Sequence, residues 1–295
     1  MHIKQGWLRV IVFLIVWLFI LSSVHFIGFE LLERSWDKPI ESLSLDEHIA
    51  GIALSLIGTL LTLYLFKKFI DREPFSEAGI TNHAVGKQFL LGAILGITII
   101  SLGFFILVAA GEIVPQQSDA TAIDMIKGLM LYLLVAVNEE FLMRGYVQIN
   151  LSRSFHRYFA IVLASSLFAT LHIFNMGITN ISLVNLTLSG ILLGVNLLFI
   201  KNIWYSVGLH FTWNYMQGFI FGFHVSGLDN PSLLEVKYYQ PDIWNGGVFG
   251  FEGSVLCTIL LGISIGGMFV YFNKNTVILT TANVTPVDEM QTKEN

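Results

Sequence analysis

The chain has 295 residues, of which 54% are hydrophobic and only 13% are charged, and its formal net charge is −5. Soluble domains carry about a quarter charged residues, so the composition excludes an ordinary soluble protein and indicates a polytopic membrane protein. The acidic balance argues against nucleic acid as a partner. A single cysteine, Cys257, excludes an intrachain disulfide and a thiolate metal cluster.

Eight apolar segments follow one another along the chain. Uncharged stretches of about 18 residues or more can cross roughly 30 Å of hydrocarbon as helices. Seven segments meet this length, and an eighth, which begins near Ala122, is interrupted by Glu139 and Glu140. The sequence therefore predicts an all-α fold, a polytopic integral membrane bundle of about eight transmembrane helices. The seven uninterrupted segments are residues 10–29, 49–66, 88–111, 158–176, 178–200, 202–223 and 253–272.

Basic residues set the predicted topology. The first segment follows Lys4 and Arg9 and is too long for the core of a signal peptide, so we expect a retained anchor. Of the 16 Lys and Arg residues, eleven fall on the side of the N-terminus, four fall on the other side, and Arg144 lies at membrane depth. Both termini are therefore predicted to be cytoplasmic. Residues 1–275 are predicted to form one membrane domain and residues 276–295 a polar C-terminal tail.

Pairs of glycines four residues apart occur in three of the apolar segments. Small residues at this spacing let transmembrane helices approach each other closely. We interpret them as packing features without a role in chemistry. The pairs are Gly92 and Gly96, Gly190 and Gly194, and Gly262 and Gly266.

The stretch "VNEEFLMRG" at residues 137–145 places three ionisable side chains in the interrupted segment. A carboxylate at bilayer depth costs roughly 2.5–3.5 kcal/mol. Glu140 and Arg144 lie four residues apart on one helical face, and for Arg144 we favour a neutralising salt bridge over a catalytic role. Glu139 is rotated by about 100° from Glu140. Adjacent carboxylates titrate as a coupled pair, so Glu139 is either a general base or a protonated carboxyl that bonds across helices.

Two later segments carry histidines. His172 follows Phe168 by four residues, and a lone histidine among apolar residues is more often a packed core residue. Because a turn near residue 155 joins two antiparallel helices, Glu139 and His172 are expected at similar depth. His210 and Asn214 lie four residues apart on one face. They can form an oxyanion hole or a hydrogen-bonded clasp between helices.

Polar residues at membrane depth are few and are expected to converge on one internal cavity, because isolated polar groups are costly in the bilayer. We predict that Ser182, Asn185 and Ser189 line a path for water into this cavity. The remaining uncharged polar side chains at depth are Asn175 and Gln217.

In order and spacing, these motifs resemble the CPBP family of CAAX proteases and bacteriocin-processing enzymes. That family includes type II CAAX prenyl endopeptidases and bacterial "Abi" proteins. The motifs stand here as "EEFLMR" (139–144), "FATLH" (168–172) and "HFTWN" (210–214), and the resemblance covers about residues 125–220. The resemblance implies an all-helical, glutamate-dependent intramembrane endopeptidase whose catalytic core lies in residues 122–222.

The resemblance also implies roles for the motif residues. Glu139 would activate the attacking water, and His172 would help to position it. His210 and Asn214 would stabilise the tetrahedral oxyanion. Glu140 completes the catalytic set, and the supporting residues are Arg144 and Phe168.

We expect no required metal or other cofactor. The sequence lacks an H-E-x-x-H helix, and Arg144 beside the carboxylates disfavours a bound cation. The alternative is a zinc-dependent metalloendopeptidase that holds the ion with Glu139, His172 and His210.

Two alternatives belong to other functional classes. One is a proton-coupled transporter that uses buried Glu and His in a relay, although the sequence shows no inverted repeat. The other is a non-catalytic scaffold or immunity protein that binds a partner through the outer loop 225–252.

As an enzyme, the protein is predicted to act in a bacterial plasma membrane, with the lipid bilayer and a membrane-associated peptide or protein substrate as partners. CAAX-type processing, bacteriocin or peptide maturation and immunity remain open as roles.

Overall fold

The computed structural model describes residues 5–31 and 42–282, the last ten of them as backbone only. Helices follow one another along these ranges, and two short strands pair between their loops. In chain order the elements are α1 (Gly6–Leu31), α2 (Leu45–Leu65), α3 (Val85–Ala109), β1 (Ile113–Gln117), α4 (Ala122–Leu142), α5 (Ile149–Ser152), α6 (Arg157–Thr170), α7 (Asn180–Gly194), α8 (Trp204–Tyr215), β2 (Leu234–Tyr238) and α9 (Val255–Ala282).

The all-α membrane bundle predicted from the sequence is confirmed. Helix makes up 73% of the structure, and in the described part of the chain the sheet is limited to the antiparallel pair β1–β2. By length and hydropathy, five described segments can cross a membrane unaided. They are α1, α2 with its extension, α3, α7 with its extension, and α9 as far as Phe272. The other three predicted spans correspond to α4, α6 and α8, which carry the polar motifs.

Side-chain caps explain where several helices begin. The Ser44 hydroxyl accepts from the Glu47 backbone N–H, and the Glu47 carboxylate accepts from the Ser44 N–H, so α2 starts with a capping box. Thr121 and Asp124 form the same arrangement at α4. These reciprocal bonds satisfy backbone donors that have no partner within the first helical turn.

Helix α4 does not stop after its acidic pair. It continues through a buried π-helical turn, Met143–Gln148, into α5, so residues 122–152 form one helical segment. The chain then turns and α6 begins at Arg157, which agrees with the predicted turn near residue 155 between two helices.

One predicted span was too long. Helix α6 ends at Thr170, not near residue 176, because the chain continues in tight turns, in which the Asn175 N–H donates to the His172 carbonyl, and then reaches the Thr179 cap of α7. His172 therefore follows the helix instead of lying within it. Helix α9 runs to Ala282, past the predicted start of the polar tail, and residues 283–295 lie outside the described residues.

Close backbone approach brings α3 and α8 together. A Cβ atom at Gly92 would overlap the Tyr205 carbonyl, and one at Gly96 would meet the Leu209 carbonyl 2.6 Å away. The predicted packing role of this glycine pair is confirmed. Gly262 and Gly266 differ, since no described atom lies within 4 Å of a Cβ built at either position.

A buried ion cluster joins the ends of α1, α2 and the α4–α5 segment. Asp71 lies 3.2 Å from Arg9 Nη1 and 3.4 Å from Lys67 Nζ, and it accepts a hydrogen bond from the Tyr146 hydroxyl. Lys67 Nζ also lies 3.3 Å from Glu73, so two carboxylates balance the two cations of the cluster, which fixes the end of the segment that carries the acidic pair.

Candidate active site

Glu140 is fully buried at the centre of the polar cluster. Its Oε1 accepts from Arg144 Nη1 at 3.0 Å and from His210 Nδ1 at 2.8 Å. The second guanidinium nitrogen of Arg144 donates to the Gly190 carbonyl at 2.9 Å, which ties α4 to α7. The ion pair expected from the four-residue spacing is therefore present, and it extends to α8 through His210.

Glu139 occupies a different environment from its neighbour. Its side chain is 27% exposed, and its Oε2 lies 3.9 Å from His210 Nε2. His210 thus lies between the two carboxylates, with one ring nitrogen towards each. Because the Glu140 carboxylate accepts, Nδ1 of His210 carries a proton, and Nε2 is the atom that faces Glu139.

Phe168 packs against each of the basic groups. Its ring centroid lies 5.0 Å from Cζ of Arg144 and 4.9 Å from the His172 ring. The His210 ring meets it edge-on at 6.3 Å. A guanidinium over an aromatic face is attracted by the ring quadrupole, so Phe168 holds Arg144 in place as well as filling space.

His172 lies in the turn after α6. Its Nδ1 is 2.9 Å from the Phe168 carbonyl, and because a carbonyl only accepts, Nδ1 donates this bond. In the neutral ring Nε2 then carries the lone pair. The local turn therefore fixes the tautomer of His172 and leaves an acceptor at the other end of the ring.

Most of the predicted site residues line one cavity of about 390 Å³. Glu139, His172, His210 and Asn214 all line it, so Glu139 and His172 reach one chamber as the helix count predicted. Glu140 and Arg144 are buried behind the cavity wall and do not line it. Described residues of α1, α2, α4, α6, α7 and α8 contribute to the wall.

Comparison with protein-family models agrees with the motifs. Residues 121–216 match the model described as type II CAAX prenyl endopeptidase Rce1-like. Over these residues the chain is similar to that family, which supports the resemblance to the CPBP family drawn from the motifs. The match begins at the cap of α4 and ends just after α8, so it contains all three motifs, and it supports peptidase activity of the CAAX type. No curated protein is significantly similar to the chain.

The wall of the cavity includes residues that the motifs do not contain. It is lined in part by Trp17 and Leu21 of α1 and by Ile52 of α2, two spans that carry none of the motifs. Asn138 also lines the cavity, and its buried Oδ1 has no hydrogen-bond partner among the described residues. Its position directly before the acidic pair was the signal available in the sequence.

Glu252 is the acidic residue that the sequence analysis missed. It was counted as part of an outer loop, yet it is buried and lines the same cavity as Glu139. It lies in a short 3₁₀ helix, Phe251–Gly253, directly before α9. Sequence position alone gives no sign that this loop folds back onto the site.

The predicted water path is wrong for two of its three residues. Ser189 lines the cavity, but Ser182 caps the first turn of α7 through Thr179. Asn185 donates to the carbonyls of Glu252 and Ser254 and accepts from Thr258. Both side chains are thus used for structure. Among the other polar residues, Asn175 lines the cavity, whereas Gln217 donates to the His224 carbonyl outside it.

The fit of a metal ion can be judged from the donors. Within residues 5–31 and 42–272, no three His, Cys, Asp or Glu side chains are arranged to hold a metal ion. His210 Nδ1 is bonded to Glu140, whose Oε1 also accepts from Arg144. We derive no step through a metal, and the zinc alternative with Glu139, His172 and His210 stays a prediction to be tested.

Proposed function

We propose that this protein is a glutamate-dependent intramembrane endopeptidase of the CPBP family that hydrolyses a peptide bond near the membrane surface. The observation that carries the proposal is the difference between the two adjacent carboxylates. Glu140 is enclosed by Arg144 and His210, whereas Glu139 faces a cavity that also receives His172 and Asn214. A cavity-facing carboxylate can take a proton from bound water, which is the task of a general base.

In the proposed first step, Glu139 removes a proton from a water molecule in the cavity. The neutral His172 ring accepts a hydrogen bond from this water at Nε2 and holds it in place. The water oxygen then forms a bond to the scissile carbonyl carbon, and the carbonyl oxygen becomes an oxyanion. Glu139 afterwards passes the proton to the leaving nitrogen as the C–N bond breaks, so atoms and charges balance.

Asn214 and His210 supply the donors for the oxyanion in this proposal. The Asn214 amide donates directly. His210 already donates from Nδ1 to Glu140, so Nε2 can donate as well only when the ring is an imidazolium. Charge balance favours that form, because two carboxylates, Arg144 and an imidazolium sum to zero in a place where net charge is costly. Preorganised donors of this kind stabilise charge that develops in the transition state.

The proposed substrate is a membrane-associated peptide or protein. Apolar residues from α1 and α2 form one side of the cavity, which suits a segment that enters from the lipid bilayer. We place the protein in a bacterial plasma membrane with cytoplasmic termini. CAAX-type processing, bacteriocin or peptide maturation and immunity are the roles in which such a cleavage would be used.

The test compares cells that express wild type, Glu139→Gln or Glu235→Gln at matched levels. Glu235 is exposed on β2 and provides the same chemical change away from the cavity. Mass spectrometry of membrane-fraction N- and C-termini is expected to find new termini with wild type and Glu235→Gln that are missing with Glu139→Gln. These termini would also identify the substrate.

Other outcomes would contradict the proposal. Identical termini in all three strains across several growth conditions would favour a non-catalytic scaffold, which tolerates Gln at position 139. Loss of cleavage on chelation, restored by added zinc, would favour the metalloendopeptidase. A proton-coupled transporter would produce no new termini and would show substrate uptake that depends on a pH gradient.

A further inference from the structure

The loop between α8 and α9 forms part of the wall of the cavity. We call residues 224–228 the strap. Val225, Ser226 and Leu228 of the strap line the cavity. Val225 and Leu228 exchange backbone hydrogen bonds, and the Gly227 N–H donates to the Phe249 carbonyl at 3.1 Å. The strap is thus a compact turn whose inner face contacts the site.

Glu252 holds the strap with two hydrogen bonds to one residue. Its Oε2 accepts from the Ser226 backbone N–H at 3.0 Å and from the Ser226 hydroxyl at 2.7 Å. Ser226 has φ +50°, a left-handed conformation that a residue with a side chain seldom adopts. The Asn175 amide donates to the Ser226 carbonyl at 2.9 Å from the opposite side. These contacts compensate for the unfavourable backbone conformation.

The other carboxylate oxygen of Glu252 reaches α8. Oε1 accepts from the Trp213 indole N–H at 3.0 Å. Trp213 follows His210 by three residues and so lies beside it on α8, and it lines the cavity together with His210 and Asn214. Glu252 therefore connects the strap to the helix that carries the proposed oxyanion donors.

From this geometry we infer that Glu252 is a positioning residue, which fixes the strap over the cavity and sets the orientation of the donor face of α8. An ionised carboxylate suits the task because it is acceptor-only, and all three groups around it donate. A glutamine at this position would place an N–H₂ group against at least one of these donors. The part of the inference that concerns catalysis rests on the proposed peptidase function, whereas the part that concerns the strap does not.

The first experiment measures opening of the strap without reference to activity. Cys257 is the single cysteine and is fully buried, so a cysteine that replaces Ser189, a buried residue of the cavity wall, provides a thiol whose labelling depends on access to the cavity. Its reaction rate with a small charged methanethiosulfonate is compared in otherwise unchanged protein, in Glu252→Gln and in Ser226→Ala. We expect the rate to rise about tenfold or more in Glu252→Gln, because bonds to a charged acceptor are lost.

A double-variant cycle distinguishes a positioning role of Glu252 from a general loss of structure in the variants. If Glu252 acts through Ser226, adding Ser226→Ala to Glu252→Gln raises the labelling rate little further, since partners in one network are not additive. Glu235→Gln should leave the rate unchanged. Equal labelling rates in all variants, or rate increases that multiply fully in the double variant, would overturn the inference.

The second experiment uses a substrate identified from the cleavage products. Glu252→Gln and Trp213→Phe are each expected to lower kcat about tenfold with a smaller change in KM, because the donors are misplaced while substrate binding persists. Normal kcat in both variants would also contradict the inference. If wild type cleaves nothing, the proposed function fails and the labelling cycle still decides the role of Glu252. If Glu252→Gln does not fold, the same measurements are made on Ser226→Ala and Trp213→Phe, each of which removes one hydrogen bond to Glu252.

Discussion

Glu139 and Glu140 are neighbours in the sequence but have different surroundings. Arg144 and His210 donate to a single oxygen of Glu140, which holds this carboxylate in place behind the cavity wall. Glu139 keeps 27% of its side chain exposed, and it lines the cavity. The rotation of about 100° between successive helical residues produces this division. One turn of α4 thus provides a structural carboxylate and one that can meet water.

Asn214 permits a test of the oxyanion site at the level of one residue. If its amide donates to the oxyanion, Asn214→Ala should lower kcat by about 10²–10³. The control is Asn180→Ala, which makes the same change at an exposed position at the start of α7. Steady-state cleavage of the identified substrate provides the measurement, and a kcat within about threefold of wild type would exclude Asn214 from this role.

At the level of elements, the placement of α8 depends on its contact with α3. Gly92 and Gly96 on α3, together with Gly208 on α8, let the two backbones approach where any Cβ would overlap the other helix. The Thr212 hydroxyl donates to the Ala93 carbonyl across the same contact at 3.0 Å. Because α8 carries His210 and Asn214, this contact also sets the depth of both side chains.

Replacing Gly92 should therefore damage stability as well as activity. Gly92→Ala places a methyl group against the Tyr205 carbonyl, and we expect a loss of about 1–3 kcal/mol in the free energy of unfolding. Gly262→Ala is the matched control, since no described atom lies within 4 Å of the new Cβ, and it should be neutral or stabilising by up to about 1 kcal/mol. Thermal unfolding in detergent measures both. Equal melting temperatures would contradict the assigned packing.

At the level of the whole molecule, Glu73 connects parts of the bundle that are distant in sequence. Arg153 donates to both of its oxygens, at 2.9 and 2.6 Å, and Lys67 Nζ lies 3.3 Å away. Burial raises the pKa of the Glu73 carboxyl, but the bonds and charges of Arg153 and Lys67 outweigh burial and leave the pKa below its ordinary value. The ionised form is therefore the one that stabilises the fold.

A lowered pKa in the folded state fixes the sign of the pH dependence. The contribution of Glu73 is complete above its ordinary pKa of about 4.3 and is lost as the pH falls through the lower folded value. Glu73→Gln should cost about 1 kcal/mol at pH 7, and its difference from wild type should shrink on acidification below about pH 4. Melting temperatures across this range test the prediction, with Glu235→Gln as the control. A difference that grows on acidification would show that the sign is wrong.

The features predicted correctly from the sequence are those that depend on local geometry. The pairing of Glu140 with Arg144 follows from helical spacing, and eight helical segments follow from the length and composition of apolar runs. Contacts across the fold were not accessible in this way. His210 reaches Glu140 across a sequence separation of 70 positions, and Glu252 enters the cavity because a loop folds back. His172 lies beyond α6 because the chain leaves the helix after Thr170 for a series of tight turns, which apolar composition does not reveal.

The helices that carry the motifs are the ones that do not qualify as spans by themselves. The described segments that do qualify belong to α1, α2, α3, α7 and α9, whereas α4 carries charges and α6 and α8 are short. The insertion machinery reads the hydrophobicity of each segment as it leaves the ribosome. We therefore expect α8 to settle in the bilayer only against α3, which is already inserted and offers a glycine surface and a carbonyl for Thr212. The cavity would then form late in biosynthesis, because the helices that carry the motifs need neighbouring helices already in the bilayer.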